Sequence, residues 1–571
     1  MTMMSATGLE SAVAQQNDKL MIYQLLPRLF GNTNSKNIPF GTIEQNGSGK
    51  FNDINQKAIN GIKELGITHI WYTGVIAHAS LTDYSKYGIP TADADVVKGR
   101  AGSPYAIRDY YDVDPDLAVD VKNRMKEFEA LLERTHKNGL KVIIDFVPNH
   151  VARSYESKAK PAKVIDFGVQ DDKTVAYHPR NDYYYVPGKD FVVPVDTNLN
   201  DGLASLKDGR FSESPAKATG NNVFSEAPSK NDWYETVKLN YGVDYQNNNQ
   251  THFDPVPPVW TKMRDILVYW SNKGVDGFRC DVAEMVPVEF WNWVIPELKK
   301  VKPSLVFIGE AYDPTAYELY LTKGKFDYLY DKVGLYDGLK RLMRNEEHAK
   351  TADIDHVWQV ESATFGNKML RFLENHDEER IASKAFAANP WLAVPAMVVS
   401  ATLSGGPVML YSGQELGEKA EGVSGFSGDD GRTTIFDYWG VPALQQWVNN
   451  GKYDGASLTD EQKALRNFYS KLFNIAGKFD AIINGKHYNL PLENNNRAYA
   501  YFRYTAKERM LIVVNFDREQ TFERELNIPA DVLSGAKPAA AKDVLNESEV
   551  QINDQSIRVK VAPSAAQIIK F

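Results

Sequence analysis

The sequence contains KVIIDFVPNH at residues 141–150, where a short apolar run leads into Asp145, Asn149 and His150. Three other stretches repeat this arrangement: GFRCDVAEM (277–285), LVFIGEAY (305–312) and MLRFLENHDEER (369–380). Each is predicted to be a buried β-strand that carries polar side chains at its C-terminal end. Because an unpaired buried charge is strongly destabilising, four such ends indicate one shared polar site. Barrels of the (β/α)8 class have their active sites at this end of their parallel strands.

Residues 20–475 alternate short apolar strands with amphipathic helices. The predicted strands are 21–26, 68–73, 141–146, 275–280, 305–310, 326–330, 369–373 and 407–413. Predicted helices include 121–139, 259–274 and 287–301. Eight strand–helix units predict an α/β fold, specifically a (β/α)8 TIM barrel, with a doubly wound sheet as the alternative.

The spacing of the strand ends predicts the domain boundaries. Asp281 and Glu310 are 29 residues apart, about one βα unit, whereas 136 residues separate Asp145 from Asp281. The excess, residues 151–255, is predicted to be an inserted subdomain after strand 3, beside the active-site face. The barrel then comprises 19–150 plus 256–478. Period-two strands at 497–504, 509–517, 556–562 and 565–571 predict a C-terminal antiparallel β-sandwich over 479–571.

The composition narrows the function class. With 43% apolar and 24% charged residues, the chain of 571 residues is typical of a soluble globular protein. A net charge of −9 argues against nucleic acid or an anionic membrane as partner, and a neutral substrate fits better. The single cysteine, Cys280, excludes an internal disulfide and a cysteine-based metal cluster. No apolar run reaches the length of a membrane span, and the oligomeric state is left open.

Residues 1–18 are small and polar and are predicted to be a leader or tag outside the fold. Ala12-Val13-Ala14 before Gln15 resembles the cleavage end of a secretory signal, which favours a periplasmic or secreted protein. The charged and apolar regions of such a signal are missing, so a cytoplasmic location is the alternative.

Three carboxylates, Asp281, Glu310 and Asp377, fit the chemistry of glycoside hydrolysis, which needs one ionised and one protonated carboxyl. Arg279 lies two residues before Asp281, on the same side of the strand, and would keep that carboxylate ionised as a nucleophile requires. Glu310 follows an apolar strand, where burial would raise its pKa towards that of a general acid. Asp377 would stabilise oxocarbenium-like charge. A lone Asp at a strand end is more often a salt bridge, but three together favour the catalytic interpretation.

His150 and His376 each follow an asparagine at a strand end. A lone histidine is more often structural, but this pair beside Asp377 favours neutral imidazoles that hydrogen-bond sugar hydroxyls. A zinc site is not predicted, because the sequence has neither an HExxH motif nor a Cys/His cluster.

These motifs resemble the four sequence regions of the α-amylase family, glycoside hydrolase family 13. They are DFVPNH (145–150), GFRCD (277–281), GE (309–310) and NHD (375–377). The resemblance implies Asp281 as nucleophile, Glu310 as acid/base and Asp377 as transition-state stabiliser. It also implies that Arg279, His150 and His376 line the −1 sugar subsite and that Tyr105 is the stacking platform there. The family retains anomeric configuration.

Departures from the family pattern concern the acceptor side and calcium. Glu284-Met285 replaces the Lys-His of many starch-cleaving members, so Glu284 is expected to face the acceptor sugar, with a solvated charge as the equal alternative. Lys238 stands where calcium-dependent amylases have an Asp, and its ammonium would repel Ca²⁺. Asn149 matches a family calcium ligand, but one ligand does not define a site. No cofactor is therefore predicted to be required, and VKLN (237–240) looks more like the neopullulanase branch.

Together these observations predict a retaining glycoside hydrolase that cleaves α-1,4-glucosidic bonds in starch-derived glucans and malto-oligosaccharides. The alternatives are a neopullulanase- or cyclomaltodextrinase-like enzyme, an α-glucosidase and an α-glucan transglycosylase, which would share every catalytic residue. Two other classes are a non-catalytic glucan-binding barrel, which predicts the loss of a carboxylate, and a metal-dependent barrel hydrolase.

Overall fold

The computed structural model describes residues 19–194, 203, 205–423, 425–426, 428–535, 537–538 and 540–571. The predicted leader, residues 1–18, lies outside the described residues. Eight parallel strands form the centre of the fold: β1 (Met21–Leu25), β2 (His69–Tyr72), β3 (Lys141–Phe146), β4 (Gly277–Cys280), β5 (Val306–Gly309), β6 (Tyr328–Tyr330), β7 (Met369–Leu370) and β8 (Val408–Tyr411). Each strand pairs with its sequence neighbours, β8 pairs with β1, and a bridge between Arg371 and Val408 completes the ring. The fold is therefore a barrel and not a doubly wound sheet.

One main helix follows each strand. These helices are α1 (Gln56–Lys63), α2 (Arg124–Lys137), α3 (Pro258–Lys273), α4 (Val288–Val301), α5 (Tyr317–Thr322), α6 (Asp337–Met343), α7 (Val394–Thr402) and α8 (Asp460–Lys478). Additional helices cover Pro27–Phe30, Ile43–Asn46, Ala352–His356, Pro442–Val448, Asp480–Ile483 and Ala530–Leu533. In α2 the residues Phe128, Leu131 and Leu132 are buried, at the i, i+3, i+4 spacing of one helical face. That helix begins later than predicted because Val121–Asn123 forms a 3₁₀ turn. No described helix is both long and apolar enough to cross a membrane.

Between β3 and α3, the described residues form only short paired strands. His150–Ala152 pairs antiparallel with Thr236–Lys238, Tyr185–Val186 with Ala216–Lys217, and Val243–Asp244 with Gln250–Thr251. The first pair begins almost directly after β3, with His150 opposite Lys238. This strand pair joins the segment between β3 and α3, here called the excursion after β3, to the C-terminal edge of the barrel.

The C-terminal residues form two antiparallel layers. The first has the order β9 (Lys486–Leu490), β10 (Ala498–Tyr504), β11 (Arg509–Asn515), β16 (Ala565–Lys570), β13 (Ala541–Asp543) and β14 (Ser548–Val550). The second pairs β12 (Phe522–Asn527) with β15 (Ser556–Val561). Residues of β11 alternate in direction, so that Met510, Ile512 and Val514 join the barrel core. Leu511 and Val513 join a separate core between the two layers.

Candidate active site

The register of β3, β4 and β5 brings the predicted site residues together. Arg279 of β4 pairs with Asp145 of β3, and Cys280 pairs with Gly309 of β5. The next residue of each strand is Asp281 on β4 and Glu310 on β5, so these two carboxylates leave the barrel side by side. Parallel strands deliver the residues at their carboxyl ends to the same face, which is why the four sequence motifs converge.

Arg279 lies at the centre of the site and has no exposed surface. Its guanidinium nitrogens lie 2.8 Å from Oδ1 of Asp281, 2.7 Å from Oε2 of Glu310 and 3.5 Å from Oδ1 of Asp145. Its Nε donates to the hydroxyl of Tyr330 at 3.1 Å. Burial alone would lower the pKa of Arg279, but Glu310 and the other anionic neighbours raise it well above its ordinary value. The guanidinium is a fixed cation shared by three acids.

This sharing corrects one step of the sequence argument, which gave the cation to Asp281 alone. Because Arg279 contacts both carboxylates, it does not by itself distinguish a nucleophile from an acid/base. Burial raises the pKa of Asp281 well above its ordinary value, Arg279 opposes that shift, and Glu310 reinforces it. The proximity of Glu310 thus disfavours the ionised form of Asp281.

Glu310 is held by two hydrogen-bond donors and one ion pair. The backbone N–H of Val282 donates to Oε2 at 2.7 Å, beside the guanidinium of Arg279. The hydroxyl of Tyr312 donates to Oε1 at 2.7 Å. Val282 has φ +36°, an uncommon conformation for a β-branched residue, which indicates local strain at the residue that follows Asp281.

Asp377 lines the same pocket and is only partly buried. Burial raises its pKa to about 7, and the neighbouring Glu310 contributes to the shift. Nε2 of His376 lies 3.1 Å from its carboxylate. Burial and Arg279 lower the pKa of His376 well below its ordinary value, so its imidazole is neutral.

Tyr105 and His376 form one wall. Their rings stack with centroids 5.3 Å apart at 26°, and the hydroxyl of Tyr105 lies within hydrogen-bonding distance of Nε2 of His376. The amide of Gln24, on β1, donates to Nδ1 of His376 at 2.8 Å. Asp145 accepts from Tyr105 at 3.3 Å and from Trp71 at 3.1 Å. This network fixes the flat ring of Tyr105 at the site.

His150 completes the set of predicted residues that line the pocket. Burial lowers its pKa to about 3, with help from Lys238 and Lys98, so the ring is neutral at pH 7. The ring of Trp233 lies 5.3 Å from it. A neutral imidazole in this position can donate to or accept from a sugar hydroxyl.

Glu284 makes contacts within the protein. Its Oε2 accepts from the backbone N–H of Tyr312 at 3.0 Å and of Asp313 at 3.1 Å. It does not line the pocket in which Asp281, Glu310 and Asp377 meet, as far as the described residues show. Neither sequence alternative, a group that faces the sugar or a solvated charge, included this arrangement.

The contacts of Asn149 do not fit a calcium site. Its Oδ1 accepts from Nζ of Lys238, which also donates to the carbonyl of Met285 at 3.2 Å. Burial lowers the pKa of Lys238 to about 7. Among the residues that the structure describes, no group of three His, Cys, Asp or Glu side chains could hold a metal ion. The amide oxygen of Asn149, which matches a family calcium ligand, thus accepts a hydrogen bond from the amine of Lys238.

The pocket has a volume of about 270 Å³. Several of its lining residues were not predicted from the sequence: Lys98, Trp233, Glu235, Tyr312, Phe426 and Phe436. Nζ of Lys98 lies 2.9 Å from Oε1 of Glu235, which joins the loop after β2 to the excursion after β3. Tyr312 could have been found, because it lies two residues after Glu310 and so points to the same side of an extended chain. The others come from long loops without a periodic pattern.

The chain is similar to known proteins in sequence and in fold. A family model described as "Alpha amylase, catalytic domain" matches residues 24–435. Alpha-amylase 3 of Dictyoglomus thermophilum is 25% identical over 447 residues, 73% of this chain and 75% of the relative. Neopullulanase 2 of Thermoactinomyces vulgaris is 20% identical over 96% of this chain and 77% of the relative.

Among solved structures, a noncanonic maltogenic alpha-amylase from Thermotoga neapolitana is similar with a TM-score of 0.61. It is 21% identical, and the match covers 98% of this chain and 99% of that one. This likeness concerns the fold and confirms the predicted barrel with its C-terminal antiparallel sheet.

Proposed function

Because the chain belongs to the alpha-amylase family, whose glycoside hydrolases and transferases act on α-glucans, we propose that it hydrolyses α-1,4-glucosidic bonds in starch-derived glucans and malto-oligosaccharides. The observation that supports this proposal best is the single guanidinium of Arg279 between Asp281 and Glu310, with Asp377 lining the same pocket. Two carboxyls beside one sugar site are what a retaining glycosidase needs.

The proposed reaction has two steps. Asp281 attacks the anomeric carbon while Glu310 gives its proton to the departing glycosidic oxygen, which forms a glucosyl–Asp281 ester. Glu310 then removes a proton from water, which attacks the same carbon and releases the sugar with retained configuration. We expect the two carboxyls to lie about 5–5.5 Å apart, as in other retaining enzymes.

The remaining residues have supporting roles in this proposal. The ring of Tyr105, fixed by His376 and Asp145, is the platform on which the sugar ring stacks. Neutral His150 and His376 hydrogen-bond its hydroxyls. Ionised Asp377 stabilises the positive charge that develops on the sugar in the transition state. The calcium-like position is occupied by Lys238, and no step passes through a metal ion.

The runner-up activities lie within the same family. A neopullulanase- or cyclomaltodextrinase-like enzyme, an α-glucosidase or an α-glucan transglycosylase would use the same carboxylates and differ in linkage, chain length or acceptor. The similarity to neopullulanase 2 supports the first of these. A non-catalytic glucan-binding barrel is disfavoured, because all three carboxylates meet in one pocket.

Product analysis tests the proposal. The protein is incubated with maltoheptaose, pullulan and a cyclodextrin, and the products are separated over time. We expect shorter malto-oligosaccharides from maltoheptaose at a higher kcat/KM than from the other two. Preference for pullulan or cyclodextrin would favour the neopullulanase alternative.

A second measurement tests the role of Asp281. Asp281→Asn, which keeps the shape of the side chain, should lose at least about a thousandfold in kcat. A slow fluorinated glucosyl fluoride should add one sugar mass to Asp281 of the native protein. Full activity of Asp281→Asn on every α-glucan tested would contradict the mechanism.

A further inference from the structure

Glu284, Tyr312 and Glu310 form a chain of contacts from one barrel strand to the next. Glu284 lies three residues after Asp281, in the 3₁₀ turn Ala283–Met285 that follows β4. Its carboxylate accepts the backbone N–H groups of Tyr312 and Asp313, which follow β5. The hydroxyl of Tyr312 then donates to Oε1 of Glu310 at 2.7 Å. The turn after Asp281 is thus connected, through Tyr312, to the carboxyl of Glu310.

We propose that Tyr312 is a positioning residue of Glu310, and that Glu284 acts through Tyr312 by fixing the backbone that carries it. This inference rests on the proposed function. Under this proposal Glu284 does not bind the sugar. Its carboxylate instead accepts hydrogen bonds from two backbone N–H groups. Tyr312 lines the pocket beside Glu310, so its ring also forms part of the wall that the departing sugar passes.

The contacts of Glu310 explain what the phenol does. Oε2 already accepts from Val282 and faces Arg279, so Tyr312 is the side-chain donor that the structure gives to Oε1. A hydroxyl that donates to a carboxylate stabilises its ionised form more than its protonated form. Tyr312 therefore favours the state in which Glu310 acts as a base on water. The same hydrogen bond fixes the direction of Oε1, the oxygen that would carry the proton when Glu310 acts as an acid.

Other charged or titratable groups surround Glu310. They are Arg279 on β4, Asp281 directly after it, Tyr330 on β6 and Asp377 after β7. Around Glu284 the titratable neighbours are Tyr317 and Tyr320 of α5. A substitution at Tyr312 leaves all of these in place, so a change in the pH profile can be assigned to the lost hydroxyl.

The chain offers a matched control for Tyr312. The hydroxyl of Tyr320 donates to the backbone carbonyls of Glu284 and Val286, each at 3.1 Å. Tyr320 therefore supports the same turn, but no hydrogen bond that the structure shows joins it to Glu310. Removing its hydroxyl perturbs the turn without removing a donor from the catalytic carboxyl.

The test compares the pH dependence of kcat/KM on maltoheptaose for the native protein and four variants. Tyr312→Phe should move the alkaline limb, which reports loss of the proton of Glu310, upward by about one pH unit. Glu284→Ala should move it in the same direction, and Glu284→Gln, whose amide oxygen still accepts N–H groups, should restore most of the native position. Tyr320→Phe should leave the limb where it is. Circular dichroism checks that each variant folds.

A double variant separates positioning from an independent role. If Glu284 acts through Tyr312, then Tyr312→Phe combined with Glu284→Ala should shift the limb no further than Tyr312→Phe alone. The leaving group of α-maltosyl fluoride needs little protonation. With this substrate, the difference in the pH dependence of kcat/KM between the native protein and Tyr312→Phe should therefore nearly vanish. Additive shifts would overturn the assignment of Glu284.

The outcomes also distinguish this inference from the function on which it rests. An unmoved alkaline limb in Tyr312→Phe, in a native protein that does cleave maltoheptaose, would overturn the role of Tyr312 alone. A native protein that cleaves no α-glucan tested would overturn the proposed function and this inference together.

Discussion

Asp377 shows how an individual residue of the site acts against the stability of the fold. Burial raises the pKa of Asp377 to about 7 and that of Asp145 to about 6, so both anions are disfavoured in the folded chain. Asp281 is shifted in the same direction. Ionised carboxyls that are valuable to catalysis thus reduce the free energy of unfolding at neutral pH, as is common where a site needs partly desolvated charge.

We expect Asp377→Asn to be more stable than the native protein at pH 8 but not at pH 4. The native state binds the proton of Asp377 up to about pH 7, whereas the unfolded chain releases it near pH 4. The contribution of this group is therefore fully present below pH 4 and is lost as the pH rises to 7. A side chain that is 34% exposed is partly screened by solvent, so the gain should be only about 1–2 kcal/mol.

Urea unfolding at the two pH values measures this difference. Asp265→Asn is the control, because its carboxyl is 53% exposed, pairs with Arg264 on helix α3 and does not line the pocket. The Asp377→Asn substitution should also abolish hydrolysis, since an amide cannot stabilise the positive charge of the transition state. Equal free energies of unfolding for the native and Asp377→Asn proteins at pH 8 would contradict the proposal that ionised Asp377 destabilises the fold.

Among the elements, the loop after β2 depends on one glycine for the position of Tyr105. Gly102 has φ +77°, and a Cβ there would lie 1.7 Å from the carbonyl oxygen of Ala79. The next residue, Ser103, accepts from the backbone N–H of Tyr105 through its Oγ at 3.2 Å. A side chain at Gly102 must therefore push apart the backbones of Gly102 and Ala79. Because Ser103 is the next residue, this shift should also disturb its hydrogen bond to Tyr105.

Gly102→Ala should lower kcat/KM at least about tenfold, because a displaced Tyr105 no longer supports the sugar ring. It should also lower the free energy of unfolding by about 2–4 kcal/mol. Gly88→Ala, in the same loop, is a matched control. It has φ +76° with nothing within 4 Å of its Cβ, so only the conformational cost of about 1 kcal/mol should remain. Similar kinetics for both variants would show that the close contact at Ala79 does not position Tyr105.

The elements also show what the sequence could and could not predict. Strand β3 was predicted with its observed bounds, Lys141–Phe146, because a buried parallel strand reads as a continuous apolar run. The side-by-side placement of Asp281 and Glu310 follows from such strands and one register. Lys98 and Glu235 could not be predicted, since their ion pair joins two long loops whose conformations depend on tertiary contacts. The direction of Glu284 depends on the left-handed backbone at Val282, for which a β-branched residue gives no signal.

At the scale of the whole molecule, the barrel and the C-terminal sheet share a core. All nine residues of α7 are buried, and this helix contacts both α8 and the sheet strands β11 and β16. Arg503 of β10 donates to the carbonyl of Leu403, just after α7, at 3.3 Å and to that of Ile482 at 2.7 Å. Without the sheet, the outer side of α7 would expose apolar surface to water. The two parts are therefore expected to unfold together.

The tryptophans offer a direct test of this coupling. All ten precede residue 479, and one of them, Trp358, also donates its indole N–H to Nδ1 of His487 on β9 at 3.1 Å, so their fluorescence reports mainly the barrel and its excursions. Leu511 is fully buried and packs between the two C-terminal layers, away from the barrel. Its neighbour Ile512 faces the barrel core. Leu511→Ala and Ile512→Ala should each cost about 2–5 kcal/mol through lost burial and a residual cavity.

If unfolding is cooperative, both variants should lower the midpoint of the tryptophan transition to a similar extent, and far-UV circular dichroism should give the same midpoint. A sheet that unfolds separately predicts a different pattern for Leu511→Ala. Circular dichroism would then show an early transition of small amplitude. The main tryptophan midpoint would stay at its native value, because the inter-layer core contains no tryptophan and only the signal of Trp358, which contacts β9, would follow the sheet. Ile512→Ala would still lower the tryptophan midpoint in that case, since its cavity opens against the barrel itself.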